Sequence, residues 1–308
     1  MVRIPGGVVR LGMRATPPVP GFQPPVPPGP PAGRAGPGGG PPHEGMHPDG
    51  PGALPDHGIA PGGAPSGGKP VPDPLTPPRD VTVSTFWLDL TEVTRDQYAV
   101  FLRDTAYRPP YVDEDWARDG WNWEGATPPR GTGDHPVVLV HWYEARAYCT
   151  WAGKRLPTEA EWQLAALGPA QAERLFPWGD TYDGARLNHG TLLPPNYDDS
   201  DGWERTAPVG SFPDGATPEG VQDLFGNAWE WVEDIRGRGW EQVRTRDGAR
   251  AGGSGPWNDP VAVGPALYAA SRGGAFFFDL RPNPSGERSA FLAELRRKST
   301  GFRCARDP

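Results

Sequence analysis

The sequence predicts an α+β fold of short strands, two or more helices and much irregular backbone. Three observations predict it. Apolar alternation comes only in brief runs, such as Val81 and Val83 leading into Phe86-Trp87-Leu88. Two capping boxes, Thr94 with Gln97 and Thr158 with Glu161, each open an apolar helical stripe. Between these elements tryptophans sit among glycine, proline and acidic residues, a pattern that pins irregular loops to a core.

Taken in order, Val2 and Ile4 alternate, Pro5-Gly6-Gly7 turns the chain, and Val8, Val9 and Leu11 resume the apolar pattern, so a strand, turn and strand are expected up to Met13. Residues 15–78 are dominated by proline and glycine. Such a tract buries too little surface to offset the cost of ordering its backbone, and is expected as a flexible insertion within one domain spanning 1–308. His43, His47, Asp49, Asp56 and His57 lie in it and read as solvated loop residues rather than a metal site. After the Phe86 strand, Tyr98, Phe101 and Leu102 form one helical stripe that stops before Pro109. Trp116, Trp121 and Trp123 follow on irregular backbone, and residues 137–140 read as an apolar strand. Ala145, Tyr148, Cys149 and Ala152 recur at helical spacing, with Gly153 as the stop. Trp162, Ala165 and Ala166 are the buried face of the helix capped by Thr158. Further short strands are expected near 207–210, 228–232 and 269–275.

Composition bounds the function. The net charge of -8 repels a phosphate backbone, so nucleic acid is not an expected partner. No stretch approaches the roughly 20 apolar residues of a membrane span, and the opening residues carry no apolar signal segment. A cytoplasmic protein, or one exported without a recognisable signal peptide, is expected, with no direct membrane insertion. The 2 cysteines, Cys149 and Cys304, are too few for a disulfide scaffold. They read either as one long-range bond or as free buried thiols.

Several runs resemble the formylglycine-generating enzyme and sulfatase-modifying-factor family. They begin with Met1-Val2-Arg3-Ile4-Pro5-Gly6-Gly7, Phe86-Trp87-Leu88-Asp89 and Glu92-Val93-Thr94. The longest extends from Ala147-Tyr148-Cys149 through Gly153-Lys154-Arg155-Leu156-Pro157-Thr158-Glu159-Ala160-Glu161-Trp162. Phe176-Pro177-Trp178-Gly179, Gly226-Asn227-Ala228-Trp229-Glu230-Trp231, Arg272-Gly273-Gly274 and Gly301-Phe302-Arg303-Cys304 follow in the family's order. The resemblance implies a formylglycine-generating-enzyme-like variant of the C-type lectin fold.

It also implies structural Ca2+, with one site from Asn188, Asp201 and backbone oxygens of His189 and Trp203, and another from Asp223, Gly226, Ala228 and Glu230. Asp223 stands where the family often has Asn. The family's disulfide matches Cys149 with Cys304. The family's copper is held by two thiolates, and those positions align with Phe278 and Asn283, neither of which is a sulfur ligand. No copper, and no formylglycine formation by the usual mechanism, is therefore expected. Relatives that oxidise ergothioneine-type thiols hold iron with histidines of an additional helical domain; no such domain is read in this sequence, and their chemistry is not expected either.

The functional expectation is a non-catalytic ligand-binding protein that displays a C-terminal surface to a protein or other surface ligand. The layout is also similar to the variable proteins of diversity-generating retroelements, whose final segment forms a diversified binding face. The candidate binding residues are Phe276, Phe277, Phe278, Asp279, Arg281, Asn283, Glu287, Phe291, Glu294, Arg296 and Arg297, read as an aromatic cluster ringed by charge. The alternative is an oxidoreductase of altered chemistry using His141, Trp142 and Glu144, with the histidine as base beside a carboxylate. A paralogue that pairs with an active relative is a third reading.

Overall fold

The computed structural model describes residues 1–11, 79–190, 199–236, 268–281 and 288–308. The Gly/Pro tract with its histidines, and the candidate positions Asn283 and Glu287, lie outside the described residues.

Nine short strands and four α-helices are described. At the N-terminus β1 (Val2–Ile4) and β2 (Gly7–Leu11) flank the predicted turn but do not pair with each other. β2 pairs antiparallel with β3 (Arg79–Val83), and β1 pairs antiparallel with β4 (Phe86–Leu88). β4 also pairs with β9 (Ala305–Arg306), so the two ends of the chain meet on one small sheet. The largest sheet has the order β7-β6-β5-β8, from β5 (Trp229–Arg236), β6 (Tyr268–Arg272), β7 (Arg288–Leu292) and β8 (Thr300–Gly301), with β5 and β8 parallel.

Both sequence-predicted capping boxes form. Thr94 caps α1 (Arg95–Thr105) with Gln97 reaching back, and Thr158 caps α4 (Glu159–Leu167) with Glu161. A third box, His141 with Glu144, opens α3 (Trp142–Trp151). α1 ends at Ala106, whose left-handed φ of 53° stops the helix ahead of Pro109. The one-turn helix α2 (Asp115–Arg118) lies among the loop tryptophans.

Three expected strands differ. Residues 137–140 are fully buried but form no strand, because Leu139 adopts a φ of 59° that breaks the two-residue period. Their amides bond elsewhere: Val137 donates to Val93 O and Leu139 to Arg297 O. Residues 207–210 are irregular, and the strand expected at 269–275 is β6, which stops at Arg272 because Gly273 takes a φ of 101°.

Tryptophans lock the helices to β5. Trp142 Nε1 of α3 donates to Val232 O, and Trp231 Nε1 of β5 returns a bond to Val140 O. Trp162 Nε1 of α4 donates to the Glu230 carboxylate. Each indole buries a large apolar body while its N–H finds an acceptor, which makes the core both dry and specific. Cys149 and Cys304 are bonded to each other, joining α3 to the segment that enters β9.

Candidate functional site

The segment after β6 carries the predicted aromatic run. Its backbone is anchored by Phe276 N donating to Asn227 O and Gly190 N to Phe278 O. Phe276, Phe278 and Phe291 do not form an exposed cluster: they are 5%, 6% and 6% exposed. Phe276 stacks on Trp121, and Phe278 and Phe291 both meet the ring of Trp229 edge-on. Phe277 is half-buried between its two neighbours.

The charged candidates divide in the same way. Asp279 and Arg281 pair with each other beside Phe277, at 2.8 Å and 2.7 Å, with Arg281 exposed. Glu294 is exposed on the turn after β7. Arg296 is held by the buried Glu144 and by Leu139 O, and Arg297 lies buried over the Phe291 ring. The structure thus groups Phe277, Asp279 and Arg281 at the surface and assigns Phe276, Phe278, Phe291 and Arg297 to the interior.

His141 and Glu144 of the oxidoreductase alternative are both buried and hold the start of α3. His141 Nδ1 accepts the Glu144 amide, while Glu144 Oε2 accepts the His141 amide. With Arg296 also on Glu144, these groups build the start of α3.

The copper positions fit no soft metal. Phe278 packs against Trp229, and both cysteines of the chain are consumed in the Cys149–Cys304 bond.

The calcium positions behave differently from one another. Asp201 closes its own loop, with Oδ2 accepting from His189 N at 2.7 Å and Oδ1 from Trp203 N at 2.9 Å. Asn188 is buried, and its Oδ1 accepts no hydrogen bond, so an oxygen there is available to a cation. The second set centres on a buried anion cluster that the sequence reading saw only in part. Arg303 is fully enclosed and grips Glu230 with two bonds, Nη2 to Oε1 at 2.7 Å and Nε to Oε2 at 2.8 Å. Its remaining donors reach Asp89 O, Leu90 O and Gln222 O. Glu230 Oε2 also accepts from Trp162, so Glu230 is a paired structural anion.

Glu92 and Asp223 complete the cluster, both buried. Asn227 donates Nδ2 to Glu92 Oε1 at 3.0 Å, and Gly210 N donates to Asp223 Oδ2 at 2.6 Å. Burial pushes the Glu92 carboxyl well above the ordinary range, and the nearby Asp223 charge adds to the rise while Arg303 opposes it. Burial likewise raises Asp223 and Glu230, again against the pull of Arg303. For Arg303, burial disfavours the charge, but the carboxylates outweigh it and its pKa is raised.

Backbone geometry brings these groups together. Asp223 and Asn227 have φ of 58° and 52°, and Gly226 has 83°. A Cβ on Gly226 would lie 2.0 Å from Asn188 O, so only glycine permits this approach of the 223–227 loop to Asn188. Among the described residues no three of His, Cys, Asp and Glu converge as a metal-binding group. An oxygen shell at either place therefore needs amide and backbone oxygens beside the carboxylates. Glu92 and Arg303 were missed as site residues, although both stand inside runs quoted for the resemblance; nothing local in the sequence says that they meet.

Among the described residues no helix is long and apolar enough to cross a membrane. Residues 46–308 match the sulfatase-modifying factor enzyme 1-like domain. The chain is 34% identical over 194 residues to a formylglycine-generating enzyme of Bos taurus, covering 52% of this chain. It spans about half the length of that relative, 51%. It is 33% identical over 206 residues to the inactive C-alpha-formylglycine-generating enzyme 2 of Bos taurus, covering 56% of this chain and 67% of the relative. Among solved structures it resembles PvdO from Pseudomonas aeruginosa, with a TM-score of 0.54 and 27% identity over 76% of this chain and 85% of that one. The short-stranded α+β architecture is the formylglycine-generating-enzyme-like variant of the C-type lectin fold. With most of its length matched and the fold in agreement, the chain belongs to the sulfatase-modifying factor enzyme 1-like domain family.

Proposed function

We propose that this chain is a non-catalytic ligand-binding protein, one domain over 1–308 with 15–78 as an insertion, that presents the loop bearing Phe277, Asp279 and Arg281 to a protein or other surface ligand. One observation carries the reading. Where relatives that form formylglycine need two thiolates, Phe278 is packed against Trp229, and the chain's cysteines are committed to a disulfide. Soft copper chemistry has no sulfur to use. The buried state of Phe276, Phe278 and Phe291 leaves little room for variation there and narrows the surface to the half-buried Phe277 and the charges beside it. Structural Ca2+ is part of the proposal, supported by the unpartnered buried oxygens of Asn188 and Glu92. The Bos taurus relative whose name calls it inactive is consistent with the scaffold persisting without the chemistry.

The test is to give the purified protein Cu(I) and a cysteine-containing peptide under oxygen and to follow the peptide by mass spectrometry. No aldehyde and no tight copper loading are expected; an aldehyde product overturns the reading. In the same preparation a photo-crosslinking residue at position 277 is expected to capture ligand, whereas one at the exposed Val100 on α1 does not.

A further inference from the structure

β6 and β7 carry the candidate binding loop between them, and the strand residue nearest to it on each side is an arginine. Arg272 ends β6, Arg288 begins β7, and the two stand directly opposite each other in the antiparallel register. Like charges at opposed positions of a sheet repel. Neither side chain is free in bulk water, since Arg272 is buried and Arg288 half-buried. On its other side Arg272 faces Glu230, whose oxygens serve Arg303 and Trp162.

The compensating anion comes from α4. Glu159, Trp162 and Gln163 share one face of that helix, at spacings of three and four residues, and the face lies over the row Glu230, Arg272, Arg288 that crosses the sheet. Gln163 Oε1 accepts from Arg272 Nη2 at 3.0 Å, and the same guanidinium lies 5.2 Å from the centre of the Trp162 ring. Glu159 reaches both arginines. Its Oε1 is 3.6 Å from Arg272 Nη1 and accepts from Arg288 Nε, while Oε2 accepts from Arg288 Nη2 at 3.2 Å. Glu159 is buried and is the first residue of α4, where the positive end of the helix favours its charge. Its amide donates to the Asp234 carboxylate of β5 at 2.6 Å. Beyond the stem, Phe276 N donates to Asn227 O and Phe278 O accepts from Gly190 N, so Phe277 sits between two anchored residues. Both anchors follow closely on Arg272, and separation of the stem is transmitted to them.

We propose that Glu159 is the positioning residue of the candidate binding loop: one carboxylate clasps two opposed arginines and thereby sets where Phe277, Asp279 and Arg281 meet solvent. The inference rests on the proposed binding face and adds a determinant of it on α4, away from the surface that would touch ligand.

Hydrogen exchange of the full chain, read by mass spectrometry without added ligand, tests it. E159Q is expected to speed exchange across 268–281 by about tenfold or more while α1 and the β1 and β4 strands exchange as in wild type, because the neutral amide leaves two like charges opposed in a dry stem. E159Q/R288E is expected to regain wild-type protection, since R288E puts the missing charge directly opposite Arg272. A side chain that merely filled space at 159 would not be rescued this way, and the double variant carries the test if E159Q fails to fold. Unchanged exchange in E159Q, acceleration spread evenly over α1 as well, or a double variant that stays unprotected each overturns the proposal. The binding reading is decided separately: a photo-crosslinking residue at 277 that captures nothing in the otherwise wild-type chain sinks that reading, whatever the exchange pattern.

Discussion

Arg303 shows how one side chain can organise several segments. Its guanidinium binds Glu230 on β5 and the carbonyls of Asp89, Leu90 and Gln222, so strand, inter-element turn and loop all end on one group. Breaking a buried ion pair from one side costs about 3 to 5 kcal/mol, because the remaining charge is left unpaired in low dielectric. Here three carboxylates, Glu92, Asp223 and Glu230, lose their counter-charge together. R303L is therefore expected to lower unfolding free energy by at least about that amount, read from urea denaturation. A loss below about 1 kcal/mol would mean that water reaches the cluster and screens it. The arginine was visible in the sequence as one letter of a terminal run. Its partners lie at sequence separations such as 73 and 214, which no local pattern reports.

At the scale of elements, helices were legible and irregular apolar segments were not. Thr158 and Glu161 satisfy each other's backbone amides at 3.2 Å and 2.8 Å, a purely local bargain that four residues specify. T158A is expected to cost about 1 kcal/mol, seen as a lowered denaturation midpoint with an unchanged slope. Thr158→Ser is expected to restore most of it, since the hydroxyl is what the cap uses. The segment 137–140 illustrates the opposite case. Four apolar residues in a row fit a strand equally well, yet Val137 and Leu139 donate to Val93 and Arg297, partners remote in sequence, and Leu139 takes a left-handed turn to do so. Periodicity reports that residues are buried; it does not report which backbone receives their hydrogen bonds.

Across the whole molecule, closure of the chain on itself is the dominant feature. β1 from one end and β9 from the other pair with β4, and the Cys149–Cys304 bond lies close to that junction, its partners at a sequence separation of 155. In the chain-entropy treatment a loop of that size is worth about 5 kcal/mol, as an upper figure. The C149S/C304S protein is expected to melt at a distinctly lower temperature than the oxidised form, and reductant is expected to shift the wild type but not the variant. Equal melting temperatures would show that the aromatic core around Tyr98, Tyr148 and Phe302 carries this region unaided.

The amino-acid sequence by itself determined the helices α1, α3 and α4, the Thr94 and Thr158 caps, the burial of Cys149, the family and the missing thiolate positions, because each rests on short-range chemistry or on the identity of a residue in a run. Only the tertiary structure decided that Phe276, Phe278 and Phe291 turn inward while Phe277, Asp279 and Arg281 remain at the surface. It alone decided that Glu230 belongs to Arg303 while Glu92 is held by Asn227. The physical reason is common to both. Burial and charge compensation depend on which distant segments share a volume, and in a fold with this much irregular backbone that is settled by long-range hydrogen bonds that no residue's immediate neighbours encode.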